Sequence, residues 1–367
     1  MLDSDSEEVD DSDQDPDFVL SDCSGEDEAI EDDTLITVEN IEFDEPGPST
    51  AILTVSADSE NDDRPQVQKR VQFTPIDKRS IVCKKKSLEV PDETSRFRGN
   101  SDLPTFMEEL ETPYDFCKIF LTEDFLNQIV EETIRYSVQK DPSKPFDFSI
   151  WDLRKYLGIC LVMSCVSVPS TKDYWSASLG NDLIKQTMSY AQFVKIRRYL
   201  HFANNQQNTV PYEENHDRLF KIRPVVEHFR KTFSLVPFEE SLSIDEQMCA
   251  TKGKCFFKQY MPAKPHKWGI KLFVLCGASG YSYDFEVYTG QENDPSGRRD
   301  DEPDLGASAD NVVRLSRNIP RNAGYKLYFD NYYTSFNLMV WLAKERIFSL
   351  GTVRRNRLPN CKLLTEK

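Results

Sequence analysis

Two aspartates stand out for the company they keep. Asp245 lies within Ser-Leu-Ser-Ile-Asp-Glu-Gln-Met, and Asp330 follows Leu-Tyr-Phe and precedes Asn-Tyr-Tyr. Both runs read as strands that are otherwise apolar or aromatic. A carboxylate in such a run is costly unless it is paired, bound to a metal or placed at a strand end. Brought together on adjacent strands, two carboxylates would offer the hard oxygen ligands that two-metal phosphodiester chemistry needs to hold a pair of Mg²⁺ ions about 4 Å apart. The plainer alternative is an Asp that caps the turn at its strand end. The local pattern leaves both readings open.

A second group spans Thr251 to Lys271, with six lysines, four aromatics and no acid. Lysines neutralise phosphates, and interleaved rings stack on unpaired bases. Lys252, Lys254, Lys258, Lys264, His266, Lys267, Trp268 and Lys271 are therefore candidate DNA contacts, joined by Arg354 and Arg355 beyond the last strand. The alternative places Phe257, Tyr260 and Trp268 in the core and leaves the lysines merely solvated. Arg197 and Arg198 add positive charge that could line the same groove. His201 and His228 have no second His or Cys at ligand spacing and read as packing or hydrogen-bonding residues, while Trp151 and Trp175 read as core anchors.

The elements that must position these residues follow from periodicity. From Thr112 apolar residues recur at three- and four-residue steps, with Thr122 as an N-cap, and further helices are predicted at 151–166, 189–200 and 218–233. At Ser241 the period changes to alternation. Strands are predicted at 241–248, 268–276 and 281–288, then a helix at 309–316, a strand at 325–329, a helix at 335–346 and a strand at 349–354. The order β-β-β-α-β-α-β is compatible with a ribonuclease H-like fold, in which a meander precedes alternating helices and strands.

Charge divides the chain. Residues 1–63 hold 24 acids and no Lys or Arg, whereas residues 64–367 hold 45 bases against 38 acids. The formal net charge of −17 thus belongs to a tail, whose composition predicts disorder, and the body is basic. Residues 64–86 carry eight bases against Asp77 alone, a pattern suited to nuclear import or nucleic-acid contact. No apolar run is long enough for a membrane-spanning helix, and the acidic N-terminus is the reverse of a signal peptide. The nine cysteines show no CxxC pair, so no zinc site is expected, and they read as reduced, buried thiols.

The chain also carries Tyr174-Trp175, Arg198-Tyr199-Leu200-His201-Phe202, Ser243-Ile244-Asp245-Glu246-Gln247-Met248, Lys258-Gln259-Tyr260-Met261-Pro262, Lys264-Pro265, Lys267-Trp268-Gly269, Tyr288-Thr289-Gly290, Phe329-Asp330-Asn331 and Gly351-Thr352-Val353-Arg354, in that order. Through these blocks, over about residues 106–360, it resembles the piggyBac transposase family and the domesticated piggyBac transposable element-derived proteins. The resemblance implies a ribonuclease H-like core with three metal-binding aspartates and Mg²⁺ or Mn²⁺ as cofactor. It also implies cut-and-paste transposition of double-stranded DNA at TTAA targets, a helical dimerisation and DNA-binding region, and a nuclear location.

Asp245 and Asp330 match the first two aspartates as catalytic metal ligands. The third has no counterpart, since only Glu345 and Glu366 are acidic after Asp330. The expected organisation is a disordered acidic tail (1–63), a basic linker (64–105), a helical dimerisation and DNA-binding domain (106–240) and an α/β core, a ribonuclease H-like mixed sheet truncated before the third aspartate (241–367). The expected function is that of a transposase-derived nuclear DNA-binding protein, inactive in strand transfer as written, with metal binding weakened or lost. Two alternatives stand beside it: a fragment of an active Mg-dependent transposase, and a chromatin or transcription adaptor working through the acidic tail.

Overall fold

The computed structural model describes residues 73–77, 81, 96–208, 216–251, 253–262, 264–290, 297–354 and 357. The acidic tail, most of the basic stretch at 64–86, Lys252 and Arg355 lie outside the described residues. Two units are present: one comprises residues 102–237, and the other the described residues up to 101 and from 238 onwards.

The first unit is helical. Its elements are α1 (Thr105–Glu108), α2 (Pro113–Phe120), α3 (Glu123–Lys140), α4 (Ile150–Cys165), α5 (Asp182–Thr187), α6 (Tyr190–Tyr199) and α7 (Arg223–Phe233), with short 3₁₀ turns at Thr171–Trp175 and Asn205–Gln207. Side-chain caps fix most starts. Thr112 with Asp115 and Ser149 with Asp152 form capping boxes, and Thr122 and Ser189 accept from the first turns of α3 and α6. The core gathers Phe125, Leu126 and Ile129 of α3, Leu153, Tyr156 and Ile159 of α4, Ile184 of α5, and Phe193 and Ile196 of α6.

Three expectations are corrected here. Trp151 is no core anchor: it is 65% exposed, because the buried stripe of α4 runs through Leu153, Tyr156 and Ile159 and leaves Trp151 on the other side. Helix α7 starts at Arg223 rather than 218, since Pro224 fits only in a first turn. None of the six described cysteines is buried; Cys165 and Cys249 are exposed and the others half-buried. Trp175 does pack, donating from Nε1 to the Met188 carbonyl at 2.7 Å. His201 and His228 behave as read: their rings stack on Tyr136 and Phe125, and their Nε2 atoms pair with Asn205 Oδ1 and the Phe120 carbonyl.

The second unit is built on β1 (Ser241–Ala250), β2 (Gln259–Tyr260), β3 (Trp268–Gly277), β4 (Ser282–Val287), β5 (Lys326–Phe329) and β6 (Phe348–Gly351), with α8 (Ala307–Leu315) and α9 (Phe336–Lys344). The predicted order of elements holds, with β2 added as a two-residue strand too short to show a period. The sheet runs β2-β3-β1-β5-β6, and β4 shares the outer edge of β3 with β2. Strands β1 and β3 are antiparallel, as are β3 and β4, while β1, β5 and β6 run parallel. This is the mixed sheet that the ribonuclease H-like expectation describes.

In β3 the consecutive residues Phe273, Val274 and Leu275 are all buried, so that strand is covered on both faces. Strand β1 instead alternates, burying Leu242 and Ile244 and exposing Ser243 and Asp245. Helix α8 packs on β3 and β4, and α9 packs beside β6. Leu338, Leu342 and Leu327 are fully buried, each contributing about 1.5–3 kcal/mol over an exposed position. Residues from the predicted basic linker join this unit. Arg98 N donates to the Ala323 carbonyl at 2.8 Å, and Phe97 meets Tyr325 edge-on. The approach is close enough that a β-carbon on Gly324, at φ +78°, would lie 2.5 Å from the Arg96 carbonyl oxygen.

Arg317, just beyond α8, holds Glu302 through two hydrogen bonds of 2.6 Å. Burial works against ionising Glu302, but the guanidinium outweighs it and the carboxyl titrates below its ordinary range. The resulting stabilisation is present above that ordinary range and lost as pH falls through the lowered value. Glu302→Gln should therefore cost about 1–3 kcal/mol at neutral pH. The difference from the parent should shrink in acid, as thermal denaturation across pH will read.

Candidate functional site

The β1–β5 register sets the site. Ser241 faces Lys326 and Ile244 faces Phe329, so the next residue on each chain is Asp245 and Asp330. Adjacent strands lie about 4.8 Å apart, and each aspartate follows a buried neighbour, which places both on the exposed side of the alternation. Strand β1 then runs on to Ala250, beyond its pairing with β5, with no strand partner on that edge among the described residues. Along this open edge Glu246 comes into hydrogen-bond reach of Asp245, carboxyl to carboxyl.

Electrostatics follow from this crowding. Burial of the Asp245 carboxyl, then its hydrogen bond to Glu246, push its pKa up to about 6, although the residue as a whole is exposed. Burial also disfavours charge on Glu246, but the hydrogen bond with Asp245 and the ammonium of Lys264, 3.1 Å from its Oε1, outweigh it and hold its carboxyl low. Asp330 is raised, by burial first and by the charge of Glu246 second.

Asp330 also performs the plainer role considered from sequence. It accepts from Tyr332 N at 2.8 Å, and its carbonyl accepts from Thr334 Oγ1 at 2.8 Å. Arg357 braces the same turn by donating to the Tyr332 and Thr334 carbonyls at 3.1 and 3.3 Å. Gly351, ending β6, lets this turn approach closely, since a β-carbon there would lie 2.3 Å from Thr334 Oγ1. Turn capping and ligation are compatible, because the hydrogen bond from Tyr332 leaves carboxylate lone pairs available.

Tyr333 in the same turn is fully buried, and its hydroxyl has no hydrogen-bond partner among the described residues. Burial, with the charges of Glu246, Asp245 and Asp330, keeps this phenol far above its ordinary titration range, hence neutral and a donor. Sequence reasoning did not single out Tyr333, nor Glu246 as a third carboxylate. The acidic doublet Asp245-Glu246 was the available signal for the latter.

Hard oxygen donors and an orphaned buried hydroxyl fit Mg²⁺ or Mn²⁺. Among the described residues, however, no three His, Cys, Asp or Glu side chains converge tightly enough to hold a metal unaided. Two carboxylates are a donor set of the kind Mg²⁺ takes, since that ion is held by one or two carboxylates and keeps several of its waters.

The basic segment folds as a hairpin around β2. Tyr260 pairs with Trp268, and Met261 N donates to the Lys267 carbonyl at 2.7 Å. Phe257 is buried, whereas Phe256, Tyr260 and Trp268 are about half exposed. Lys254, His266, Lys267 and, beyond β6, Arg354 are exposed. Lys258 lies over the Trp268 ring at 5.4 Å. Two lysines are engaged otherwise: Lys264 pairs with Glu246, and Lys271 sits against the rings of Phe273, Tyr288 and Tyr332.

A cavity of about 340 Å³ lies elsewhere, lined by Arg299, Glu302, Arg317, Arg321, Trp341 and Glu345. Within it Arg317 pairs with Glu302 and Arg321 with Glu345, and none of the candidate residues lines it.

Sheet order and strand directions define the class as a mixed α/β protein of the ribonuclease H-like type. The chain belongs to the piggyBac-type transposase IS4 family, whose match runs over residues 112–367. It is 28% identical over 282 residues to PiggyBac transposable element-derived protein 2 of Homo sapiens, covering 76% of this chain and 46% of the relative. It is 27% identical over 285 residues to PiggyBac transposable element-derived protein 3 of Homo sapiens, with the same coverage, 76% and 46%. The chain thus spans just under half the length of these curated relatives. Among solved structures it is similar to the piggyBac transposase of a cryo-EM synaptic complex with hairpin DNA. That likeness has a TM-score of 0.58 at 24% identity, covers 69% of this chain and 53% of the other, and establishes the fold. The resemblance drawn from the sequence blocks holds.

No helix among the described residues is long and apolar enough to cross a membrane.

Proposed function

We propose that this chain is a nuclear DNA-binding protein of transposase descent. In this reading its basic hairpin contacts double-stranded DNA, including TTAA-flanked ends, and Asp245 and Asp330 hold a weakly bound divalent cation, Mg²⁺ or Mn²⁺. The observation that carries the reading is the parallel register Ile244↔Phe329, which sets Asp245 and Asp330 at one level, within one unit that also holds the hairpin. The structural neighbour's complex with DNA supports the choice of ligand. A bound cation would supply charge neutralisation for a phosphodiester's oxygens. The chain's own groups place the two carboxylates, brace the Asp330 turn through Arg357 and present cationic and aromatic side chains to the nucleic acid. With two of the three aspartates that the family resemblance implies, these 367 residues alone are not expected to transfer strands. Homodimerisation through the helical unit completes the reading.

The acidic tail enters as a competitor for the basic body. Removing residues 1–63 should strengthen binding to a TTAA-containing duplex at low salt by several-fold, and the gain should fade as salt rises. Fluorescence anisotropy over a salt series tests both points. No binding by either form would overturn the DNA reading, while equal binding by both would overturn the competition alone.

A further inference from the structure

Two other buried tyrosines place their hydroxyls on partners. Tyr174 donates to the Met163 carbonyl at 3.2 Å, and Tyr283 shares its hydroxyl with Glu239 Oε1 at 3.3 Å and with Glu239 N at 3.1 Å. Tyr333 differs. It is 0% exposed, packed edge-on to Phe273 and Tyr332, and its Oη has no acceptor among the described residues. An unsatisfied buried hydroxyl is destabilising, and phenylalanine would fill the same space without that cost.

Tyr333 lies three residues after Asp330 in the same turn, and its ring packs on Phe273, the cross-strand partner of Glu246 on β1, so the hydroxyl is set among these carboxylates and feels their charges. Those carboxylates are engaged with other groups: Asp245 with Glu246, Glu246 with Lys264, and Asp330 with Tyr332 N. A carboxylate that ligates a metal is itself held by a hydrogen bond that fixes its orientation. Tyr333 is a buried, idle donor beside this group.

We propose that Tyr333 is a positioning residue: its hydroxyl donates to a carboxylate of the Asp245–Asp330 pair once a divalent cation draws that pair together. This rests on the reading of Asp245 and Asp330 as a cation site. It predicts opposite signs for two measurements on one conservative variant. Without metal, Tyr333→Phe removes an unsatisfied group and should raise the melting temperature. With metal, it removes the orienting bond and should weaken Mn²⁺ binding about 10-fold or more.

The test titrates Mn²⁺ alone into the full chain, its Tyr333→Phe variant and its Asp330→Asn variant, with free ion followed by electron paramagnetic resonance and metal-free melting recorded in parallel. The expected result is a higher metal-free melting temperature with a weakened Kd for Tyr333→Phe, and loss of binding for Asp330→Asn. A parental Kd in Tyr333→Phe alongside lost binding in Asp330→Asn would overturn the role of Tyr333 and leave the cation site standing. A lower metal-free melting temperature for Tyr333→Phe would also overturn it, by showing that the hydroxyl already has a structural partner. Absence of Mn²⁺ binding by the parent would overturn the cation site and this inference together.

Discussion

The double variant Asp245→Asn, Asp330→Asn should melt at a higher temperature than the parent at neutral pH without metal, and should gain nothing from Mn²⁺. Three carboxylates crowd one end of the β1–β5 pairing, and the Lys264 ammonium that pairs with Glu246 offsets only part of the rise at Asp245. Asp245 is displaced from its ordinary 3.8 up to about 6, by burial and by its hydrogen bond to Glu246, and Asp330 is displaced in the same direction. A carboxyl whose folded pKa is raised binds protons more tightly folded than unfolded. Its contribution is therefore favourable in acid and is lost as pH rises through the window from 3.8 to about 6. Asn keeps the shape and removes the charge. After discounting for the solvent that reaches Asp245, the relief is about 1 kcal/mol, or a few degrees.

The parent, by contrast, should gain about 2.7 kcal/mol from Mn²⁺ at 100 times its Kd, and the double variant none. Melting curves at pH values on either side of the window, with and without Mn²⁺, separate the two effects. A variant that melts below the parent without metal would mean that these carboxylates serve the fold, and the cation reading would lose its electrostatic basis.

How far the sequence carried depends on whether an interaction is local. The core strands were legible because alternation in Leu242-Ser243-Ile244 and the Gly277–Gly280 turn are written within a few residues. The two aspartates were legible because an acid in an apolar strand is anomalous wherever the strand goes. Their adjacency required the β1–β5 register, which only the assembled sheet supplies. Lys264 reaches back 18 residues in sequence to Glu246, and no local rule couples a lysine in a basic hairpin to a carboxylate on β1. Tyr333 was invisible for the same reason, since an orphaned hydroxyl is defined by everything around it. Trp151 was misread although the signal was local: a two-residue offset from Leu153 on a helix is a rotation of about 200°.

Those long-range pairings sort the candidate DNA contacts into two groups with different expected behaviour. Lys254, Lys267 and Arg354 are exposed and available to phosphates. For duplex DNA, each phosphate contact removed lowers the slope of log affinity against log salt by about 0.9, so the triple alanine variant should lose roughly 2.7 from the slope. The loss should be similar across sequences, because charge contacts position the duplex without reading it. Lys264→Ala should leave the slope nearly unchanged, since its ammonium is engaged by Glu246 3.1 Å away. Trp268→Ala should distinguish substrates instead. Its half-exposed ring, with Tyr260 alongside at 4.8 Å and Lys258 above, forms a stacking platform. Its loss should cost about 1–3 kcal/mol on single-stranded or unpaired ends and little on intact duplex. A slope change for Lys264→Ala equal to that of Lys267→Ala would show that the Glu246 pair opens on DNA. Binding of nucleic acid would then deliver a freed carboxylate to Asp245 and Asp330, coupling the two halves of the site.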